Sequence, residues 1–220
     1  MKVAVLFSGG KDSTYVLWLA KKQGYEVECL ISIVSSNKES FMFHTPAIEL
    51  TKKQAELTNI PLISRETKGE KEKELGDLKR AIEKAVVKYN IKGVVTGAVE
   101  SVYQASRIQK ICDELRLECF NPLWQKNQID LLRDLVKDRF EAIIVGVFAY
   151  PFDAKWIGRR VNEGFIDKMQ ELGVKYKINP AGEGGEYESL VVNCPLFKKK
   201  LDFEIKEVVG EGNSWNAVMA

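Results

Sequence analysis

Six consecutive residues, Ser8-Gly9-Gly10-Lys11-Asp12-Ser13, place two glycines, a lysine, a carboxylate and two hydroxyls side by side. Those types suit a phosphate. Glycines without a Cβ let phosphate oxygens approach the main chain. Lys11 adds a full positive charge, Ser8 and Ser13 add hydroxyl donors, and Asp12 suits a phosphate-bound magnesium ion. The apolar run Val3–Phe7 just before the string predicts a buried strand, and the residues just after it predict a helix. The first N–H groups of a helix lack partners within it, and the helix dipole leaves partial positive charge there. Strand, glycine turn and helix start form the context that phosphate binding needs, which an isolated glycine turn lacks.

A second string, Gly182-Glu183-Gly184-Gly185-Glu186-Tyr187-Glu188-Ser189, predicts an acidic loop before a strand. Clustered like charges repel, so a cation is the expected counterpart, either magnesium on a nucleotide or a cationic substrate. Trp124, Trp156, Tyr187 and Tyr103 supply aromatic faces of the kind that hold a quaternary ammonium, although each tryptophan equally suits a core. Glu100, Ser101, Tyr103, Gln104 and Arg107 open a further predicted helix, with Arg107 one turn in, where a phosphate is within reach. His44 is the single histidine, which excludes a histidine-rich zinc site and leaves no partner for a Ser/His/Asp triad.

The elements that position these residues alternate. Strands are predicted at 3–7, 27–34, 61–64, 93–97 and 118–120, with helices at 12–22, 47–58, through Leu75–Tyr89, and at 102–115, where Val102, Ala105, Ile108, Cys112 and Leu115 form one stripe. This predicts an α/β fold with a doubly wound, parallel five-stranded sheet over residues 1–121. Residues 122–220 are expected to form a smaller α+β domain, with helices at 129–139 and 159–172 (the latter closed by Gly173) and strands at 142–148, 189–193 and 203–209. Ligands of open parallel sheets bind beyond the carboxyl ends of the strands where strand order reverses. With strands one and four adjacent, the loops at Ser8–Ser13 and Thr96–Ser101 would face one crevice, walled by the second domain.

Bulk properties exclude little else. The 220 residues carry a net charge of +2, which demands neither nucleic acid nor an anionic membrane. The longest apolar run, Ala142–Phe148, falls far short of the roughly 18–20 residues of a membrane span, and the start turns polar at Ser8, too early for a secretory signal. Cys29, Cys112, Cys119 and Cys194 form no Cys-x-x-Cys pair and predict free thiols in a reducing cytoplasm.

SGGKDS lacks the spacing of a Walker loop and of a dinucleotide fingerprint. It resembles the pyrophosphate loop of the N-type ATP pyrophosphatases, which split ATP into AMP and pyrophosphate. Together with TGAVESVYQASR (Thr96–Arg107), DAKWIGR (Asp153–Arg159) and GEGGEYES, in this order along most of the chain, it resembles the diphthine–ammonia ligase family in its compact, archaeal-type form. That resemblance implies an adenine nucleotide alpha hydrolase-like first domain. It also implies ATP and Mg2+ as cofactors, and ammonium and diphthine-bearing translation elongation factor 2 as substrates. Lys11, Asp12 and Ser13 would be catalytic, with Asp12 on magnesium. Ser8, Gly9, Gly10, His44 and Gly97 would complete the nucleotide site. Glu100, Ser101, Tyr103, Gln104, Arg107, Trp156, Glu183, Glu186, Tyr187 and Glu188 would hold the substrate. On this reading Glu186→Ala weakens substrate use far more than ATP binding. Rival readings are a tRNA-modifying thiolase or lysidine-type ligase, a ligase for another small cationic acid, and an ATP-sensing module without turnover.

Overall fold

The structure, a computed structural model, describes residues 1–35, 50–67 and 73–220. The first half alternates strand and helix as the periodicity predicts: β1 (Lys2–Leu6), α1 (Lys11–Lys22), β2 (Glu26–Ser35), α2 (Thr51–Thr58), β3 (Leu62–Thr67), α3 (Lys73–Tyr89), β4 (Gly93–Val95), α4 (Val102–Glu114) and β5 (Glu118–Phe120). All five strands are parallel, in the order β3-β2-β1-β4-β5. The order in which the strands are added therefore reverses between β1 and β4, as expected.

Side-chain alternation explains the double winding. Val3, Val5 and Phe7 point to the face covered by α1 and α2, while Ala4, Cys29, Ile31 and Ile33 point to the face covered by α3 and α4. The inward stripe of α4 is Ile108, Ile111 and Cys112. Val102, expected inward, is 67% exposed, because the first turn of α4 stands clear of the sheet.

The second half holds α5 (Gln128–Lys137), β6 (Glu141–Val147), a short 3-10 turn at Ala154–Trp156, α6 (Glu163–Tyr176), β7 (Tyr187–Asn193), β8 (Ile205–Glu211) and β9 (Ser214–Met219). Its sheet is antiparallel in the order β7-β6-β9-β8. Strand β9 was not foreseen. It pairs with β8 through a tight turn at residues 211–214, and with Ala217 alone fully buried it gives no apolar alternation.

Helix α6 also departs from expectation at both ends. Residues 159–161 run extended beside β6, with Ile144 N–H donating to Arg159 O and Val161 N–H to Ala142 O, both at 2.9 Å. The helix begins only where the Asn162 side chain accepts the Phe165 N–H at 2.9 Å. It runs through Gly173 and stops at Lys177, whose φ is 58°.

The apolar cluster on the α1 face of the first sheet is continuous with the core of the second. Leu17 of α1, Leu135 of α5, Ile166 of α6 and Val191 of β7 belong to it together. Full burial of an aliphatic side chain such as Ile144 contributes about 1.5–3 kcal/mol. Across the boundary, the Tyr15 hydroxyl donates to Asp138 Oδ2 at 2.8 Å, and the Tyr15 ring meets Phe140 edge-on.

The Asn162 cap generates a prediction. Asn162→Ala should lower unfolding free energy by about 1 kcal/mol, seen as a melting temperature lower by about 2–4 °C, whereas Asn162→Asp should retain stability.

Candidate active site

The phosphate-type loop leaves β1 and turns at Gly9, whose φ of 79° lies in the left-handed region that favours glycine. Gly10 is the N-cap of α1 and brings no side chain to the helix start. The loop is braced from within. Ser8 and Ser13 pair their hydroxyls at 3.1 Å, the Ser8 N–H donates to Ser13 Oγ at 3.2 Å, and the Thr14 hydroxyl donates to Gly10 O at 2.9 Å. From the neighbouring strand end, Gly97 comes so close that a Cβ there would lie 3.0 Å from the Asp12 carbonyl carbon and 3.1 Å from Ser13 N. Glycine at that position lets the loop after β4 lie against the first turn of α1.

The second sheet supplies the other wall. Ser189 Oγ accepts the Lys11 N–H at 3.2 Å, and Val191 N–H donates to Gly9 O at 3.0 Å. Lys11 is 4% exposed, and its Nζ lies 2.8 Å from Asp12 Oδ2, 3.7 Å from Glu183 Oε1 and 5.7 Å from the Tyr187 ring centroid. The phosphate-type loop and the acidic loop therefore meet at Lys11. Burial works against the Lys11 charge, but Asp12, Tyr187 and Glu183 outweigh it and raise its pKa, so the ammonium stays protonated. Burial, reinforced by the Asp12 charge, pushes the Glu183 carboxyl up to about 8 against the pull of Lys11. Glu183 is thus a weak acid, and Asp12 Oδ2 makes the close contact to the lysine. Asp12 Oδ1 is buried with no hydrogen-bond partner among the described residues.

The other carboxylates of the acidic string do not converge. Glu186 is turned into its own loop. Its Oε1 accepts from the Asn179 N–H and from Asn179 Nδ2, each at 2.7 Å, and its Oε2 accepts the Gly184 N–H at 2.8 Å. Its carboxylate is thus engaged within its own loop, whereas the sequence reading expects it on the substrate. Glu186→Ala should disturb the loop that carries Glu183 and Tyr187, and so affect nucleotide and substrate alike. Glu188 sits next to Ser189 on β7, so the pleat sends it to the opposite face from the phosphate-type loop. Burial alone pushes its carboxyl up to about 8.

The aromatic wall is corrected as well. Trp156, 7% exposed, meets Phe152 edge-on at 4.9 Å and Phe165 at 6.1 Å, with the Arg159 guanidinium 4.2 Å above its ring. Tyr187 packs edge-on against Phe152 and Phe165, and its hydroxyl donates to Pro180 O at 2.8 Å. Burying this much aromatic surface outweighs presenting it to a ligand. Both residues line the core beneath the site and offer no open cage.

On the first-sheet side, the Ser101 hydroxyl caps α4 by accepting the Gln104 N–H at 3.3 Å. The Arg107 guanidinium stacks 3.5 Å over the Tyr103 ring. Glu100 accepts from Gln128 Nε2 at 3.0 Å, and Gln128 Oε1 accepts the Ala181 N–H at 2.9 Å, which ties the β4 loop to the segment before the acidic string. Sequence reasoning missed Gln128 and Gln54. Each is a lone glutamine in a helical stretch, with no motif around it. His44 lies outside the described residues.

The two raised carboxyls set a pH dependence. In the folded chain Glu183 and Glu188 keep a proton over a range in which an ordinary carboxyl of pKa 4.5 has lost it, so stability falls as pH rises from about 4.5 to about 8. The melting temperature should drop over that interval, and Glu183→Gln should flatten the drop when followed by calorimetry at constant ionic strength.

A protein from Methanocaldococcus jannaschii, described as a predicted subunit of tRNA methyltransferase, has a solved structure that aligns with a TM-score of 0.45 at 17% identity, over 91% of this chain and 100% of that one. The diphthine–ammonia ligase of Schizosaccharomyces pombe is 35% identical over 225 residues, 95% of this chain and 37% of that protein. The Rattus norvegicus and Homo sapiens proteins of the same name are 34% and 33% identical, each over 95% of this chain and 85% of theirs. The family model for the diphthamide synthase N-terminal domain matches residues 1–119, and that for the C-terminal domain matches residues 127–219. The chain belongs to the diphthamide synthase family.

Proposed function

We propose that this chain is a diphthine–ammonia ligase. It amidates the diphthine carboxylate of translation elongation factor 2 with ammonium at the expense of ATP, releasing AMP and pyrophosphate. The observation that carries this reading is the meeting of the loop after β1 with the acidic loop at Lys11. The relatives that share the name support it.

A carboxylate is a poor acceptor for an amine, so it must be activated. Its oxygen attacks the α-phosphate, the bond to the β-phosphate breaks, and an acyl-adenylate forms. Ammonia then attacks the acyl carbon and AMP leaves. On this reading the start of α1 and the Lys11 ammonium would meet the negative charge that grows on the departing pyrophosphate, and such prepositioned donors act mainly on the transition state. Burial and the Asp12 charge raise the Glu183 carboxyl, so Asp12, at 2.8 Å, is the nearer and stronger counterpart of the Lys11 ammonium. The raised Lys11 pKa guards the same charge across the working range.

Magnesium carried by ATP fits at Asp12, whose Oδ1 is buried and unpartnered among the described residues while Oδ2 holds Lys11. Among those residues no three metal-ligating side chains are gathered, so phosphate oxygens and water would complete its shell, as this ion prefers. Once there, it would offset phosphate charge. We place the protein in the cytoplasm: its four cysteines are free, and none of its described helices is long and apolar enough to cross a membrane.

Incubation with ATP, magnesium, ammonium and diphthine-bearing elongation factor 2 should convert acid to amide, read as the intact mass of the factor, with matching AMP and pyrophosphate. AMP without a mass change would redirect the chemistry to another acceptor, and bound ATP without AMP would favour a sensor. Lys11→Met should slow AMP formation by about 10²–10³-fold, the scale set by removing one oxyanion donor.

A further inference from the structure

Gln54 lies on α2, outside every motif, and is fully buried. Its Nε2 donates to two carbonyls at once, Gly9 O at 3.0 Å and Val191 O at 2.8 Å. The Gly9 carbonyl also receives the Val191 N–H at 3.0 Å, so two donors hold it against β7. The carboxamide lies directly on the turn, where a Cβ on Gly9 would stand 2.1 Å from Gln54 Oε1. Helix α2 is itself fixed to the second half, since Lys198 N–H donates to Leu57 O at 3.1 Å. Gln54 Oε1 has no hydrogen-bond partner among the described residues. A buried acceptor without a partner is costly, and an apolar side chain of similar size would avoid that cost while losing the grip on Gly9.

We propose that Gln54 is a positioning residue for the nucleotide loop. A carbonyl oxygen turned toward a phosphate repels it, whereas a turned-away carbonyl lets the turn present N–H groups. Gln54 holds the Gly9 carbonyl in the turned-away state and ties that state to β7, which begins within the acidic string. The proposal rests on the reading of this loop as the ATP site, and it assigns the loop's geometry to a residue distant in sequence.

Gln54→Met keeps the volume and removes the donor. ATP affinity, measured by calorimetry on the full chain, should fall by about tenfold, with KM for ATP rising in step and KM for the protein substrate within about twofold. Gln54→Glu introduces a carboxyl that burial keeps protonated, and so able to donate, to higher pH than an exposed one, and it should weaken ATP by about a hundredfold once it ionises. Its ATP affinity should recover toward acid pH as the new carboxyl gains a proton and can donate again. A merely structural defect would show no such recovery. The proposal is overturned if folded Gln54→Met binds ATP as tightly as the parent, or if the Gln54→Glu affinity follows the parent's pH profile. Should Gln54→Met fail to fold, the pH profile of Gln54→Glu decides alone. Absence of ATP binding by the parent would overturn the ATP-site reading itself, a separate outcome.

Discussion

The hydrogen bond from the Val191 amide to the Gly9 carbonyl, with the Lys11 amide bonded to Ser189 beside it, joins the two sheets where the phosphate-type loop and the acidic loop meet. Its physical origin is an edge. Strand β7 is terminal in the order β7-β6-β9-β8, so its outer N–H and C=O groups lack a neighbouring strand. Such edges invite pairing. Here the turn after β1 and the Gln54 carboxamide satisfy part of that edge. The glycine turn therefore has two duties: it offers amides to a ligand on one side and completes β7 on the other.

Electrostatics follows from that closure. Joining the sheets takes Lys11 out of water, and a buried ammonium is tolerated only with partners. Asp12 answers it directly, and Glu183 answers weakly because it is itself buried next to Asp12. The cluster is thus arranged so that an entering polyanion finds a protonated lysine shared with a single carboxylate. Glutamines 54 and 128 do the corresponding work in uncharged form, linking the loops after β1 and β4 to the second half without altering the charge balance.

Much of this was legible in the sequence wherever the signal is local. Glycine, lysine and hydroxyl types at fixed spacing marked the loop after β1, and apolar periodicity placed every strand and helix of the first sheet to within a few residues. Where partners are distant, the signal vanishes. Nothing around Gln54 announces a bond to Val191. In the acidic string, Glu183, Glu186 and Glu188 are the same residue type, yet one faces Lys11, one closes its own loop and one lies across the pleat. Backbone register decides among them, and composition does not encode register. Trp156 suited a cage or a core equally well until Phe152 and Phe165 were seen around it. Strand β9 escaped because its side chains are only partly buried and show no clean alternation, so pairing with β8 and β6 makes it a strand.

The apolar cluster that runs unbroken from α1 through α5 and α6 to β7 has a consequence for cooperativity. A segment unfolds separately only when its contacts are chiefly its own. Losing the second sheet would uncover Leu17 and Val16, unseat α1 and release the turn that α1 caps. The half that carries the phosphate-type loop and the half that carries the acidic loop therefore melt together, and the phosphate-type loop has no folded state of its own to fall back on.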